Sequence, residues 1–361
     1  MVVDAFFSKN YAIAREHFKQ SAKNLGMTLE SIPIGQFGPN GEMLSIDVAI
    51  QSGSMPDQAL LISSGLHGVE GFFGSAVQLA VMKKWQDDPH LRPTQRLILI
   101  HALNPYGFAW RRRANEDNVD LNRNLILSCE SFRGSPAIYK DIDHILNPKR
   151  PPSRWDWINF RLICPTAKHG QAILEQAITA GQYDYPQGLF YGGTEPSHLS
   201  KILSDNLDRW LGLSQKVIHL DFHTGLGAWA TYKLLFDHPL SDNQYAWLKS
   251  YFGNESVEAI SDEQSGWKGG LGHFCKTHAK DRDYICALAE FGTYKGLQVL
   301  AGLRAENQSY FWGNPNSRIT EYTRQRLVEL FCPKSASWRK DCIRQAITLV
   351  EQAINGLSTK S

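Results

Sequence analysis

No two cysteines of this chain form a C-x-x-C pair. The six, at positions 129, 164, 275, 286, 332 and 342, are scattered, which argues against a thiolate zinc site or a redox dithiol. Reduced, structural thiols in a cytoplasmic chain are the expectation. A secretory leader is not expected either. The opening "MVVDAFFSKNYAIAREHFKQ" has no basic start, apolar block or small-residue cleavage site. No run approaches the ~18 apolar residues that span a bilayer, so no membrane partner is expected. Charge of one sign is missing too. The 38 basic and 36 acidic residues leave a net charge of +2 and are mixed along the chain, whereas a nucleic-acid partner calls for a basic stripe. There is no P-loop and no G-x-S-x-G elbow, which argues against a phosphate cradle of that kind and a serine hydrolase. "GGLGHF" falls short of G-x-G-x-x-G, so a dinucleotide site is not expected. Internal repeats, low-complexity tracts and obvious linkers are absent.

An apolar share of 42% over 361 residues is ample for a sizeable core. Phe6, Phe7, Tyr11, Ile13, Ala14 and Phe18 recur at helical spacing. "LESIPIGQFGPNGEMLSIDVAIQSG" alternates around "GPNG", a hairpin signature. Continuous apolar runs at 59–64, 96–105, 216–225, 231–239 and 284–294 read as buried strands. Helical segments follow or separate them, among them "GSAVQLAVMKKW", "DNQYAWLKSYFG" and "SWRKDCIRQAITLVEQAING". This order predicts an α/β fold with a mixed, largely parallel sheet and helices on both faces. One catalytic domain over 1–361 is expected, with a helix and hairpin in 1–55. Residues 130–200, punctuated by "NPKRPPSRW" and "YDYPQG", read as a partly helical insertion over one end of the sheet.

Ligands of an open parallel sheet bind where its strands exit. The first buried strand exits into "GLHGVEG", with His67 and Glu70. The second exits into "NPYGFAWRRRANEDNVDLNRN". The third ends at His223 in "DFHTGLG", and the fifth at Glu290 in "AEFGTY". Two histidines and a carboxylate form a common catalytic zinc shell with one position left for water or substrate. Zinc lowers the pKa of its water to about 7, and a second carboxylate such as Glu290 would take the proton. With 12 histidines in the chain, about one H-x-x-E match arises by chance. The motif therefore gains weight only from its company at the other strand exits.

That company resembles a known family. "GLHGVEG", "NPYGF", "RRRANEDNVDLNRN", "DFHTG" and "AEFG", over about residues 60–300, look like the zinc carboxypeptidase family, most of all its bacterial, deacylase-like branch. The resemblance implies a zinc-dependent exopeptidase-like fold of the phosphorylase/hydrolase-like type, with one zinc per chain. It implies His67, Glu70 and His223 as metal ligands and Glu290 as general base and acid. An arginine of "RRR" would polarise the scissile carbonyl; Arg113 is favoured over Arg112. Asn122 and Arg123 would hold a substrate carboxylate, a role that suits the planar, bidentate guanidinium. Carboxypeptidases proper also bring a tyrosine from a late loop; Tyr284 and Tyr294 are the candidates here.

His219 rivals His223, since strand residues two apart share a face, but it lies deeper in the run. Asp221, between them, could orient a ligand histidine or could be an ordinary buried carboxylate. His273 and His278 precede the fifth strand and read as loop histidines. The expected activity is hydrolysis of a peptide or amide bond beside a free carboxylate, on a small peptide. The alternative substrate is an N-acyl amino acid, cleaved by a deacylase of the same superfamily. A catalytically silent carboxylate-binding module and a structural zinc protein are the readings from other classes. The first should have lost a ligand or the base, and the second should have no open coordination position beside an acid.

Overall fold

The run "ALLISS" is buried at every position and becomes the middle of an eight-stranded sheet. The structure is a computed structural model and describes residues 3–153, 158, 162–259 and 268–358. Its strands are β1 (Thr28–Phe37), β2 (Met43–Gln51), β3 (Met55–Ser64), β4 (Gln95–His101), β5 (Lys216–Thr224), β6 (Tyr232–Phe236), β7 (Val257–Ala259) and β8 (Asp283–Phe291). They lie in the order β1-β2-β4-β3-β5-β8-β6-β7. The central four, β4-β3-β5-β8, run parallel. The β1–β2 hairpin joins one side antiparallel, and β6 joins the other in the same way, with β7 parallel to β6. The predicted α/β class and the mixed, largely parallel sheet are what the structure shows.

The described helices are α1 (Tyr11–Asn24), α2 (Gly71–Asp87), α3 (Pro105–Trp110), α4 (Ala137–Leu146), α5 (Ile163–His169), α6 (Gln171–Thr179), α7 (His198–Leu211), α8 (Asp242–Phe252), α9 (Leu271–His278), α10 (Gly296–Trp312), α11 (Arg318–Phe331) and α12 (Ala336–Ser358). On one face of the sheet, α2 and α12 pack over β3 and β5. Phe73 of α2 meets Phe222 of β5 and Trp338 of α12 there, with ring centroids 6.5 and 5.3 Å apart. On the other face α9 covers β8, and α7 packs on β4 and on α9. No described helix is long and apolar enough to cross a membrane.

Local chemistry moves several boundaries. The first helix starts at Tyr11, not at the phenylalanines, because Asn10 caps it. The Asn10 side chain accepts from the Ile13 amide at 2.9 Å. Phe6 and Phe7 precede the helix and Ile13 is exposed, while Tyr11, Ala14, Phe18 and Ala22 form its buried stripe. β4 stops at His101 rather than running to 105. Asn104 caps α3 by accepting from the Gly107 amide at 2.8 Å, and Pro105 takes the first helical position. β6 and β8 likewise end at Phe236 and Phe291, earlier than their apolar runs suggest. β7 has three residues, too few for a periodic signal. In the 130–200 region, residues 154–157 and 159–161 lie outside the described residues, including the end of "NPKRPPSRW". The described part supplies α4, α5 and α6 and one wall of the cavity discussed next.

Candidate active site

β3 ends at Ser64, and Gly65 turns the chain with a φ of +67°, a conformation that costs glycine little. His67 follows, then a single 3-10 turn, Gly68–Glu70, that opens α2. This turn is fixed to the arginine segment. The Gly68 amide donates to the Arg113 carbonyl at 3.1 Å and the Val69 amide to that of Arg112 at 2.7 Å. Gly68 lies so close to Gly107 that a Cβ would sit 2.1 Å from its carbonyl carbon. Only glycine fits there.

The buried carboxylate of Glu70 stands between two histidines. His67 Nδ1 is 3.0 Å from Oε1, and His223 Nδ1 is 2.9 Å from Oε2, which also accepts from the Thr224 amide at 3.2 Å. One donor atom from each of His67, Glu70 and His223 lies within 4.8 Å of the other two. Each histidine also meets a carboxylate at its far nitrogen. Asp120 Oδ1 lies 3.2 Å from His67 Nε2, and Asp221 Oδ2 lies 2.5 Å from His223 Nε2.

Burial works against charge at this centre, but the pairing overcomes it. It would raise the Glu70 carboxyl, yet the flanking histidines hold it well below its ordinary value. It would lower His223, yet Asp221 and Glu70 on either side push it well above. At His67, an Arg113 nitrogen lies 2.7 Å from Nε2. An acceptor Nε2 there leaves the proton on Nδ1, facing Glu70. A cation at Nδ1 requires the other tautomer, and Asp120 is placed to accept the Nε2 proton.

A zinc-type ion fits this donor set. Two imidazole nitrogens and one carboxylate converge, and both outward nitrogens have the carboxylate partners that fix a ligand tautomer.

His223 and Glu290 are paired in register on β5 and β8. Glu290 is partly exposed to the same cleft, and its Oε1 accepts from the Leu226 amide at 2.8 Å. Burial first, and then the Glu70 charge, push its carboxyl up to about 7. A cation held by Glu70 would remove part of that rise. Arg113 reaches the same centre, donating from Nε to Asp120 at 3.0 Å and from NH1 to Glu70 at 3.3 Å. Arg112 does not. It is buried in a separate network, donating to Glu306 at 2.7 Å and Asn118 at 2.9 Å, with its guanidinium 3.4 Å from the Tyr310 ring centre. The structure therefore removes Arg112 from the cleft.

Asn122 and Arg123 also line the cavity. Asn122 Oδ1 accepts from the Leu271 amide at 3.0 Å. Arg123 donates to the carbonyls of Thr179, at 2.5 and 3.2 Å, and of Asn122, at 2.7 Å. Burial pulls its guanidinium below the ordinary value, against the opposing charge of Asp120. The cavity measures about 990 Å³, and its walls beyond these groups are mostly apolar. Leu174 and Ile178 come from α6, Leu297 and Leu300 from α10, and Leu226 and Phe331 from the loop after β5 and the end of α11.

The remaining candidates stand elsewhere. His219 is bonded to Ser63 and Tyr284 beneath the site. Tyr284 is fully buried within β8, and Tyr294 donates to Glu329 at 2.7 Å; neither belongs to the cavity wall. His273 and His278 lie on α9, and His278 stacks on Phe274 with centroids 4.0 Å apart. Sequence reasoning missed Asp120, although it opens "DLNRN" and caps the turn that carries Asn122 and Arg123, accepting from the Asn122 amide at 3.0 Å.

An exopeptidase-like sheet with a His–Glu–His group at its strand exits makes this a chain of the carboxypeptidase fold. Its family is the one described as "Protein of unknown function (DUF2817)", and it belongs there, matching that model over residues 7–345. The structure of bovine thrombin-activatable fibrinolysis inhibitor, in complex with tick carboxypeptidase inhibitor, is similar at 13% identity. The match covers 98% of this chain and 98% of that one, with a TM-score of 0.53. A second structure of thrombin-activatable fibrinolysis inhibitor matches at 12% identity, over 97% of this chain and 75% of that one, with a TM-score of 0.50. Carboxypeptidase A from Helicoverpa armigera matches at 13% identity, over 94% and 73%, with a TM-score of 0.43. No curated protein matches the sequence.

Proposed function

We propose that this chain is a zinc-dependent hydrolase that cleaves a peptide or amide bond next to a free carboxylate. One observation carries the reading. Two histidine Nδ1 atoms converge on the Glu70 carboxylate at the base of a cavity that Glu290, Arg113 and Arg123 also face. His67, Glu70 and His223 would hold the metal. Bound zinc would supply Lewis-acid polarisation and a nucleophile at neutral pH.

The other roles belong to the chain's own groups. Glu290 takes the proton of the attacking water and passes it to the leaving nitrogen. Its register beside His223 and its opening to the cleft suit both transfers. Arg113, beside Glu70 at the cavity base, donates to the carbonyl oxygen as negative charge develops on it, and such preorganised donors are often the largest catalytic term. Arg123 pairs with the substrate carboxylate, an anion that offsets the cost of burying a guanidinium. The apolar walls favour a substrate with an apolar side group.

The test is a mass-spectrometric screen of the zinc-loaded protein against small peptides and N-acyl amino acids, each as free acid and as amide. Free acids should be cleaved and amides spared. Equal cleavage of both would refute carboxylate recognition, and no cleavage of any would refute the hydrolase.

A further inference from the structure

Beneath His223, on the side away from the cavity, lies a chain of polar side chains that the proposed chemistry does not use. His219, Asp221 and His223 alternate onto one face of β5. Ser63 of β3 is in register with Asp221, and Cys286 of β8 with His219. Tyr284 Oη lies 2.8 Å from His219 Nδ1. His219 Nε2 lies 2.6 Å from Ser63 Oγ, and Ser63 Oγ lies 2.5 Å from Asp221 Oδ1. Asp221 Oδ2 lies 2.5 Å from His223 Nε2. All five residues are buried.

The proton count permits one arrangement. A buried carboxylate paired with His223 only accepts. Ser63 has a single proton, so it donates to Asp221 and must accept from His219 Nε2–H. His219 is then neutral with a lone pair on Nδ1, which accepts from Tyr284. The weaker Cys286 thiol lies 3.4 Å from that same nitrogen. Every donor therefore points toward Asp221, and the far oxygen of Asp221 receives the His223 Nε2 proton. His67 has no counterpart. Asp120 is held directly, by the Asn122 amide and by Arg113 Nε, each at 3.0 Å.

We propose that Ser63 and His219 are positioning residues for the metal site. They hold Asp221 so that the His223 proton stays on Nε2 and the Nδ1 lone pair faces Glu70. The inference rests on the reading of His223 as a ligand. It adds that the ligand's affinity is set two bonds further away, by a serine within an apolar strand.

Zinc ion alone is the probe, measured by competition with a chromophoric chelator on the full chain, with thermal unfolding of the chelated protein alongside. Ser63→Ala should weaken zinc binding about 10-fold, the low end of the range for partners outside the ligand shell. Ser63→Thr keeps the hydroxyl and should bind close to wild type. Ser64→Ala is the control. Its hydroxyl is equally buried but faces the other side of β3, donating to Gln78 at 3.2 Å. It should cost stability and leave zinc affinity unchanged. Tyr284→Phe removes only the far donor and should shift affinity the same way by less. Unchanged affinity in both Ser63→Ala and Tyr284→Phe overturns the proposal, as does an equal loss in Ser64→Ala. A wild type that binds no zinc overturns the metal site itself, a separate outcome.

Discussion

Replacing Glu290 by glutamine tests two things at once. The amide is nearly isosteric, and its oxygen can still accept from the Leu226 amide as Glu290 does at 2.8 Å. What it cannot do is take a proton from water. With zinc loaded, kcat should fall by about 10²–10⁴-fold, the usual contribution of a general base. Without metal, the effect on stability has the opposite sign. The Glu290 carboxyl rises from 4.5 to about 7 in the fold, through burial and then the Glu70 charge. A carboxyl raised by folding keeps its proton longer in the folded than in the unfolded state. The penalty is therefore absent below pH 4.5, grows between pH 4.5 and 7, and is complete above 7. At about 1.36 kcal/mol per pH unit, it reaches at most about 3 kcal/mol. Glu290→Gln has no charge to penalise. In EDTA at pH 8 the variant should therefore unfold at higher urea than wild type, and at pH 4.5 the two should coincide. The assay is a pair of urea titrations at each pH, followed by turnover with zinc. A variant that hydrolyses at the wild-type rate would refute the role of the base. A variant no more stable than wild type at pH 8 would refute the account of its electrostatics.

His67→Ala and His223→Ala should each lose most of the bound zinc, measured by mass spectrometry of the metal; full retention in either would remove that residue from the ligand set. Arg123→Ala should lower kcat/KM for free-acid substrates by about 10- to 100-fold and leave amides unaffected, with Arg123→Lys between the two. Arg113→Ala should lower kcat more than it raises KM, because its partner charge appears only in the transition state. His101 and His238 are buried, and burial holds both at about 4, below the ordinary 6.5. Neutral in the fold, they take up protons on unfolding in acid, so stability complete above pH 6.5 should fall as pH drops to about 4, by up to about 3 kcal/mol for each. His101→Leu should flatten that slope in urea titrations at pH 7 and 5, and an unchanged slope would remove His101 from the account.

The strand exits were legible because a parallel sheet sends its loops to one end, so order along the chain became proximity in space. His67, Glu70, His223 and Glu290 could be brought together on that argument alone, and the structure does gather them around one cavity. Irregular segments gave less. Nothing periodic tells Arg112 from Arg113, and the partner that draws Arg112 away, Glu306, lies 194 positions along the chain, beyond any local pattern. Ser63 read as a small residue in an apolar run, since its partners lie 156 and 158 positions away. The cavity walls were equally hidden. Leu174, Ile178, Leu297 and Leu300 belong to no motif, and only the packing of α6 and α10 around the cleft brings them to its wall.

Gly68 and Gly107 touch backbone to backbone, and two amides next to that contact donate to carbonyls of Arg112 and Arg113. Segments some 40 residues apart in the chain are thereby made into a single part. For protein engineering, this sets the unit of exchange. A graft of residues 65–71 into a related scaffold would arrive without the surface it is fastened to, and one of residues 104–113 would aim its arginine at a turn of different height. Moved together, the two loops carry their mutual alignment with them, and the recipient needs only to supply the ends of two adjacent parallel strands.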